Sequence, residues 1–306
     1  MPDIYTPREG LGFFGYIFLL IIIVFLIPLG TFSQNFKPIP GERIDYLVSL
    51  GVFNAGKASM ITDTITYNLN DNEVFKIDVI GRRLGIFDFF AKVRDNWGAY
   101  ITTSDLQPKK FHRYLQEGKY RKNEILNFQN DSDSVQIVIL DKFTKNFVQH
   151  KYLHFENDIQ KIIRSYFMNY WIASLAYLRS LDYSDISDKE LVEIPYFENN
   201  DKFKYQMKFL KRESIQTKIG EINSIVFAPL IPKNRLFEDE DAVKFWLSDD
   251  KNKVPLKLLA KMNFGNFVID YLTSTFYNSN NRFFTHLCNF KNIFLNLTNF
   301  FLSTFI

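Results

Sequence analysis

Glu42-Arg43-Ile44-Asp45-Tyr46-Leu47-Val48-Ser49-Leu50-Gly51-Val52 sets Ile44, Tyr46, Val48, Leu50 and Val52 on one side of an extended chain, with Arg43, Asp45 and Ser49 on the other. Period two marks a half-buried β-strand, because successive side chains of an extended backbone point to opposite faces. Asn54-Ala55-Gly56 interrupts, and Ile61, Ile65, Tyr67 and Leu69 resume, which predicts two strands joined by a turn or bulge. The interruption is read as backbone geometry, with Gly56 or Asn54 at positive φ, in preference to a phosphate cradle. Comparable alternation returns at Phe75 to Val79, Phe87 to Val93, Phe203 to Phe209 and Val254 to Met262. Turn-forming residues separate these runs at Asn70-Asp71-Asn72, Glu117-Gly118, Gly220 and Asp249 to Asn252. The expected fold is therefore mainly β, an antiparallel meander forming a curved half-barrel-like sheet.

One stretch departs from period two. Ile159, Ile162, Ile163, Tyr166, Phe167, Tyr170, Trp171, Ser174, Leu175 and Leu178 recur at three and four residues, which predicts a helix over about 158–181. Asn157 or Asp158 can cap its start, and Asp182 and Ser184 stand where it should end. Its wide aromatic stripe calls for burial against the sheet, across the concave face.

Composition narrows the function classes. Between Gln34 and Leu272 the chain carries 34 basic and 32 acidic side chains, so it lacks the basic footprint of a nucleic-acid binder. Cys288 is the single cysteine, which excludes an intrachain disulfide, a CxxC pair and a cysteine zinc site. No cofactor is called for: the chain has no GxSxG elbow, no HExxH, and no Walker or dinucleotide-binding glycine loop.

The termini differ from the body. Tyr16 to Leu29 is an uninterrupted apolar core, Pro28 ends it, and Thr31 and Ser33 are small, so residues 1–33 read as a signal peptide cleaved between Ser33 and Gln34. The alternative is a single N-terminal membrane anchor, since Leu11 to Gly30 is uncharged and long enough to span a bilayer. Residues 34–272 read as a single β-rich domain. Thr273 to Ile306 holds 8 Phe and 7 Asn with no acid, keeps neither period, and reads as an extraneous or disordered tail.

Several side-chain groups invite a chemical reading. His150, His154 and Glu156 look like metal ligands, but Val148 to Phe155 reads as a strand, where residues four apart lie roughly 13 Å from each other. Glu238 to Asp241 lacks the alternating oxygens of a calcium loop, and Asp249 to Asn252 fits a hairpin turn. Arg113, Glu117 and Arg179 are expected to form a buried ion pair that fixes the sheet, the alternative being that they line a polar site. Trp97 and Tyr100 are the aromatic residues proposed for ligand contact; no catalytic or metal-binding residue is assigned.

Ordered motifs carry a family resemblance. They are Gly41-Glu42-Arg43-Ile44-Asp45-Tyr46 running into Val52-Phe53-Asn54-Ala55-Gly56; Pro108 with Glu117-Gly118-Lys119-Tyr120; Ser174-Leu175-Ala176-Tyr177-Leu178-Arg179; and Phe245-Trp246-Leu247-Ser248-Asp249-Asp250 leading to Val254-Pro255. Together, over roughly residues 40 to 272, they resemble the exported bacterial family catalogued as domain of unknown function 3108. The resemblance implies a secreted antiparallel β protein similar in outline to envelope lipid-carrier folds, and carries over no catalytic residue. The expected role is a non-enzymatic protein of the periplasm or cell envelope that binds an apolar or amphipathic ligand, such as a lipid or lipid-linked glycan, or an envelope partner. Membrane contact is expected only through an uncleaved signal segment. The alternatives are an envelope hydrolase without a familiar motif and a purely structural assembly component.

Overall fold

A computed structural model describes residues 37–85, 92–129, 134–154, 171–195, 204–230, 241–262, 265–278 and 282–285. Among the described residues sixteen strands form one sheet. The first nine are β1 (Glu42–Leu50), β2 (Phe53–Thr62), β3 (Tyr67–Leu69), β4 (Asn72–Arg83), β5 (Arg94–Thr102), β6 (Pro108–Glu117), β7 (Tyr120–Gln129), β8 (Ser134–Leu140) and β9 (Phe147–His154). The remainder are β10 (Leu191–Pro195), β11 (Lys204–Thr217), β12 (Gly220–Pro229), β13 (Val243–Ser248), β14 (Pro255–Met262), β15 (Gly265–Asn278) and β16 (Arg282–Thr285). The main path runs β10-β11-β12-β13-β14-β15-β1-β2-β4-β5-β6-β7-β8-β9, with β3 on β4 and β16 on β15. Each neighbouring pair is antiparallel, and the path begins at β10 and ends at β9 without closing into a barrel.

The period-two reading holds from Glu42 to Tyr46, where Glu42, Ile44 and Tyr46 are buried while Arg43 and Asp45 bond each other and Ser59 on the opposite face; beyond it Val48 is half-buried and Leu50 and Val52, expected on the apolar side, are exposed. The bulge falls within the expected interruption, on Ala55, which the register slip between Val48 and Ser49 leaves unpaired, while the reversal and its positive φ sit earlier than expected, at Gly51. Gly56 is needed for close approach, since a Cβ there would lie 2.6 Å from the Arg82 carbonyl oxygen.

Helix α1 covers 171–180 among the described residues, and the expected start near 158 lies outside them. Ile172, Leu175 and Leu178 join one core with Ile44, Ile77, Ala99, Phe111, Leu126 and Phe227, so the helix covers the apolar face of the sheet. Trp171 meets the Phe245 ring edge-on at 5.3 Å. Asp182 accepts from Ser184 N at 3.0 Å just past the last turn, as a helix stop requires. No helix among the described residues is long and apolar enough to cross a membrane.

The C-terminal boundary at Leu272 is corrected. β15 runs on to Asn278, with Thr273, Ser274, Thr275 and Phe276 opposite Asp45, Ile44, Arg43 and Glu42. The alternation was hidden by a bulge: Tyr46 pairs Tyr271 and Asp45 pairs Thr273, so Leu272 is skipped and the period shifts by one. The Ser33–Gln34 bond, Cys288 and residues 286–306 lie outside the described residues.

Candidate functional site

Register decides what the central strands present. Phe75, Ile77 and Val79 on β4, Trp97, Ala99 and Ile101 on β5, and Phe111 on β6 belong to or pack on the helix-covered core. The opposite face shows three transverse rows: Lys76, Tyr100 and Lys110; Asp78, Gly98 and His112; Ile80, Asn96 and Tyr114. Trp97 and Tyr100 are three residues apart in one strand, an odd spacing, so they face opposite sides and form no common site.

Gly98 makes the middle row compact. A Cβ there would lie 2.0 Å from His112 Cε1 and 2.6 Å from Asp78 Oδ1, so the imidazole occupies the space a side chain would fill. His112 Nε2 lies 3.2 Å from Asp78 Oδ1 and 3.0 Å from Asn96 Oδ1. Two acceptors around one nitrogen require Nε2 to carry a hydrogen, which cannot point along both lines. Asp78 Oδ1 therefore stays buried without an aligned donor, while its other oxygen meets Lys76 Nζ at 3.0 Å. Burial raises the Asp78 carboxyl, but His112 and Lys76 outweigh it and hold it below the ordinary range. Burial likewise lowers Lys76, and Asp78 more than reverses this.

Aromatic rings continue the strip along β6. Tyr114 stacks on His112 at 4.8 Å, Tyr100 meets the same ring edge-on at 6.3 Å, and Tyr67 meets Tyr100 at 5.9 Å. Lys145 lies 4.1 Å over Tyr114 at one end, and Lys110 lies 5.3 Å over Tyr100 at the other. Burial lowers the Lys110 ammonium and raises the Tyr100 hydroxyl. Lys110 also lines a polar cleft with Asn70, Asn72, Lys109, Asn127 and Phe128. A second, much tighter crevice is mainly apolar and lies between Ile219, Ile222, Val254, Leu256 and Phe276.

The expected ion pair resolves into two separate ones. Arg113 bonds Glu124 at 2.6 Å, and Arg179 bonds Glu42 through two contacts of 2.7 Å, while Glu117 joins neither. β6 and β7 place Arg113 directly opposite Glu124, whereas Glu117 lies at the hairpin end opposite Tyr120. His150 and His154 sit on strand β9, on its exposed side. Among the described residues no cluster has a metal-binding arrangement. Glu238 to Glu240 fall outside the described residues, and Asp250 organises the Ser248–Val254 turn by accepting from Asn252 N and Lys253 N.

Ser248 and Lys251 have the spacing of serine–lysine acyl-transfer pairs. The hydroxyl is committed to the turn, donating to Asp250 at 2.9 Å and accepting from Val254 N at 2.7 Å. The Asp78–His112 pair had no linear signal, because the two residues are 34 positions apart and meet only through the β4–β5–β6 register.

Residues 45–271 match the family model described as "Protein of unknown function (DUF3108)". The chain belongs to the DUF3108 family. The match agrees with the resemblance expected over roughly 40 to 272. No curated protein matches. Among solved structures, this DUF3108 chain is similar to a β-barrel-like DUF1849 protein from Brucella abortus, at 7% identity and TM-score 0.40, covering 79% of this chain and 100% of that one. A candidate lipoprotein from Parabacteroides distasonis gives 13% identity and TM-score 0.30, covering 79% and 98%. A candidate exported protein with a YmcC-like fold from Bacteroides fragilis gives 8% and 0.30, covering 78% and 97%.

Proposed function

We propose that this DUF3108 protein is an exported envelope protein that works by binding, and that its ligand is an amphipathic molecule such as a lipid-linked glycan. One observation carries the reading: Tyr100 lies under Lys110 where the aromatic strip meets the polar cleft of Asn70, Asn72, Lys109 and Asn127. An aromatic face takes the C–H side of a sugar ring, and nearby amides and ammonium groups bond its hydroxyls or a linking phosphate. The helix-covered face supports this placement, because Ile44, Ala99, Phe111 and Leu126 are already fully buried there. The apolar stretch Tyr16 to Leu29 supports export.

Native mass spectrometry of protein purified from cell envelopes tests the proposal. A ligand-sized adduct is expected on the wild type and is expected to be lost in the Tyr100→Ala/Lys110→Ala variant at unchanged thermal midpoint. Absence of any adduct, or its survival in the variant, overturns the reading.

A second reading, an envelope hydrolase, is favoured by the buried Asp78–His112 contact. Against it, the His112 ring is 5% exposed and wedged on Gly98, so a substrate proton has little access. Incubating the protein with its extracted ligand separates the two: a binder returns the ligand at its original mass, and a hydrolase returns cleaved products that His112→Gln abolishes.

A further inference from the structure

Antiparallel neighbours send alternate hairpin tips to opposite rims of the sheet. One rim collects the β1–β2 turn, the end of β4, the start of β5, and the β6–β7 and β8–β9 turns. Pairings of Gly56 with Arg83, Arg82 with Arg94, Val93 with Glu117 and Leu140 with Phe147 fix this grouping. From β1 to β9 it spans seven strand spacings, roughly 34 Å along the sheet.

The two rims of these strands differ in charge. Segments 50–57, 82–85, 92–94, 117–122 and 140–147 hold ten basic residues against Glu117 and Asp141. The Asp141 carboxylate is committed to Phe143 N and Thr144 N at 2.9 and 2.7 Å. On the opposite rim, segments 37–42, 63–66, 70–73 and 102–107 hold five acids and one base, Lys37. Lys119, Lys142 and Lys145 are exposed and make no ion pair among the described residues.

Large apolar side chains accompany the positive charge. Val52 is 91% exposed, Phe143 78%, Phe53 and Phe147 62% and Tyr120 52%. The β6–β7 and β8–β9 tips are held together, with Arg121 over the Phe143 ring at 5.3 Å and Asn123 donating to the Asp141 carbonyl at 2.9 Å. Exposed aromatic and aliphatic groups interleaved with lysines suit the boundary of a bilayer, where rings enter the headgroup layer and ammonium groups meet phosphate.

We propose that this rim docks on an anionic lipid surface, with Phe143, Phe147 and the Val52–Phe53 tip entering the headgroup boundary and Lys119, Lys142 and Lys145 meeting lipid phosphates. Charge complementarity commits the occupant, and the protruding apolar tips favour a lipid surface over an acidic protein or nucleic acid. The inference stands on the rim's own residues and does not rest on the ligand reading above. Tyr114 lies beside the rim under Lys145, so docking places one end of the aromatic strip at the membrane.

Vesicle co-sedimentation of the full chain tests the proposal, using phosphatidylcholine vesicles with and without phosphatidylglycerol. The apolar stretch Tyr16 to Leu29 contributes equally to both vesicle types, so the readout is the preference for the anionic one. The wild type is expected to prefer anionic vesicles and to lose that preference as salt rises. Lys142→Gln/Lys145→Gln is expected to weaken partitioning to anionic vesicles about fivefold per lysine. Phe143→Ser/Phe147→Ser is expected to weaken it at low and high salt alike. Equal partitioning of the wild type to both vesicle types, the result for a protein or nucleic-acid partner, overturns the proposal. So does an unchanged preference in the lysine variant, and the wild-type salt titration decides should a variant fail to fold.

Discussion

Removing the charge of Glu42 while leaving Arg179 in place should be among the most damaging single changes in this protein. Glu42 and Arg179 side chains are 2% and 3% exposed and meet through two hydrogen bonds of 2.7 Å, and Arg179 Nε also donates to the Asn252 carbonyl at 3.1 Å. The pair ties β1, helix α1 and the β13–β14 turn at one point. Glu42→Gln keeps the shape but takes the Glu42 counter-charge away from a guanidinium in the core, which costs about 3–5 kcal/mol. For a domain of this size each kcal/mol lowers the thermal midpoint by about 2–4 °C, so a fall of roughly 6–20 °C is expected. The double variant Glu42→Met/Arg179→Met removes both charges at similar volume and should recover most of that loss. Thermal and urea unfolding of the wild type, both single variants and the double variant complete the cycle. Additive losses, or a Glu42→Gln loss below about 1 kcal/mol, would refute the claim that this pair is buried and coupled.

Two further outcomes follow from the same structure. Burial and the Glu117 charge, partly offset by the Gln116 N–H, push the Asp95 carboxyl up to about 6. Against an unfolded value of about 3.9, the folded state holds this proton more tightly, so stability falls as pH rises from about 4 to 6. Asp95→Asn should remove that slope and gain about 2 kcal/mol at neutral pH; matching urea midpoints across the window would refute it. Ending the chain at Leu272 removes the β15 residues opposite Glu42 to Asp45 and the 3.0 Å contact between Tyr271 Oη and Ser274 Oγ. That truncation should lower the thermal midpoint by several degrees, whereas an unchanged midpoint would restore the shorter boundary.

The strands were legible because burial of one sheet face forces period two onto the sequence, and Glu42 to Tyr46 obeys it residue by residue. The helix was legible for the same reason, since Leu175 and Leu178 must share one apolar side. A bulge defeats this signal: skipping Leu272 exchanges the two faces, so the last six residues of β15 looked patternless. The outer-face strip was illegible beyond the single choice of Tyr100. Asp78, Gly98 and His112 become neighbours only when three strands settle into one register, and that register is set by summed pairing and core burial along whole strands. Ion-pair partners were misassigned for a related reason. Arg113 and Arg179 are suitable cations in any linear reading, but only the fold brings Glu124 and Glu42, 11 and 137 residues away, within reach. The sequence thus determined the mainly β character, the helix and, up to each bulge, which side is apolar, because those follow from local periodicity. Which polar groups meet, and which rim gathers the basic hairpin tips, was decided by the order and register of the sheet, because antiparallel pairing alone determines which turns lie side by side.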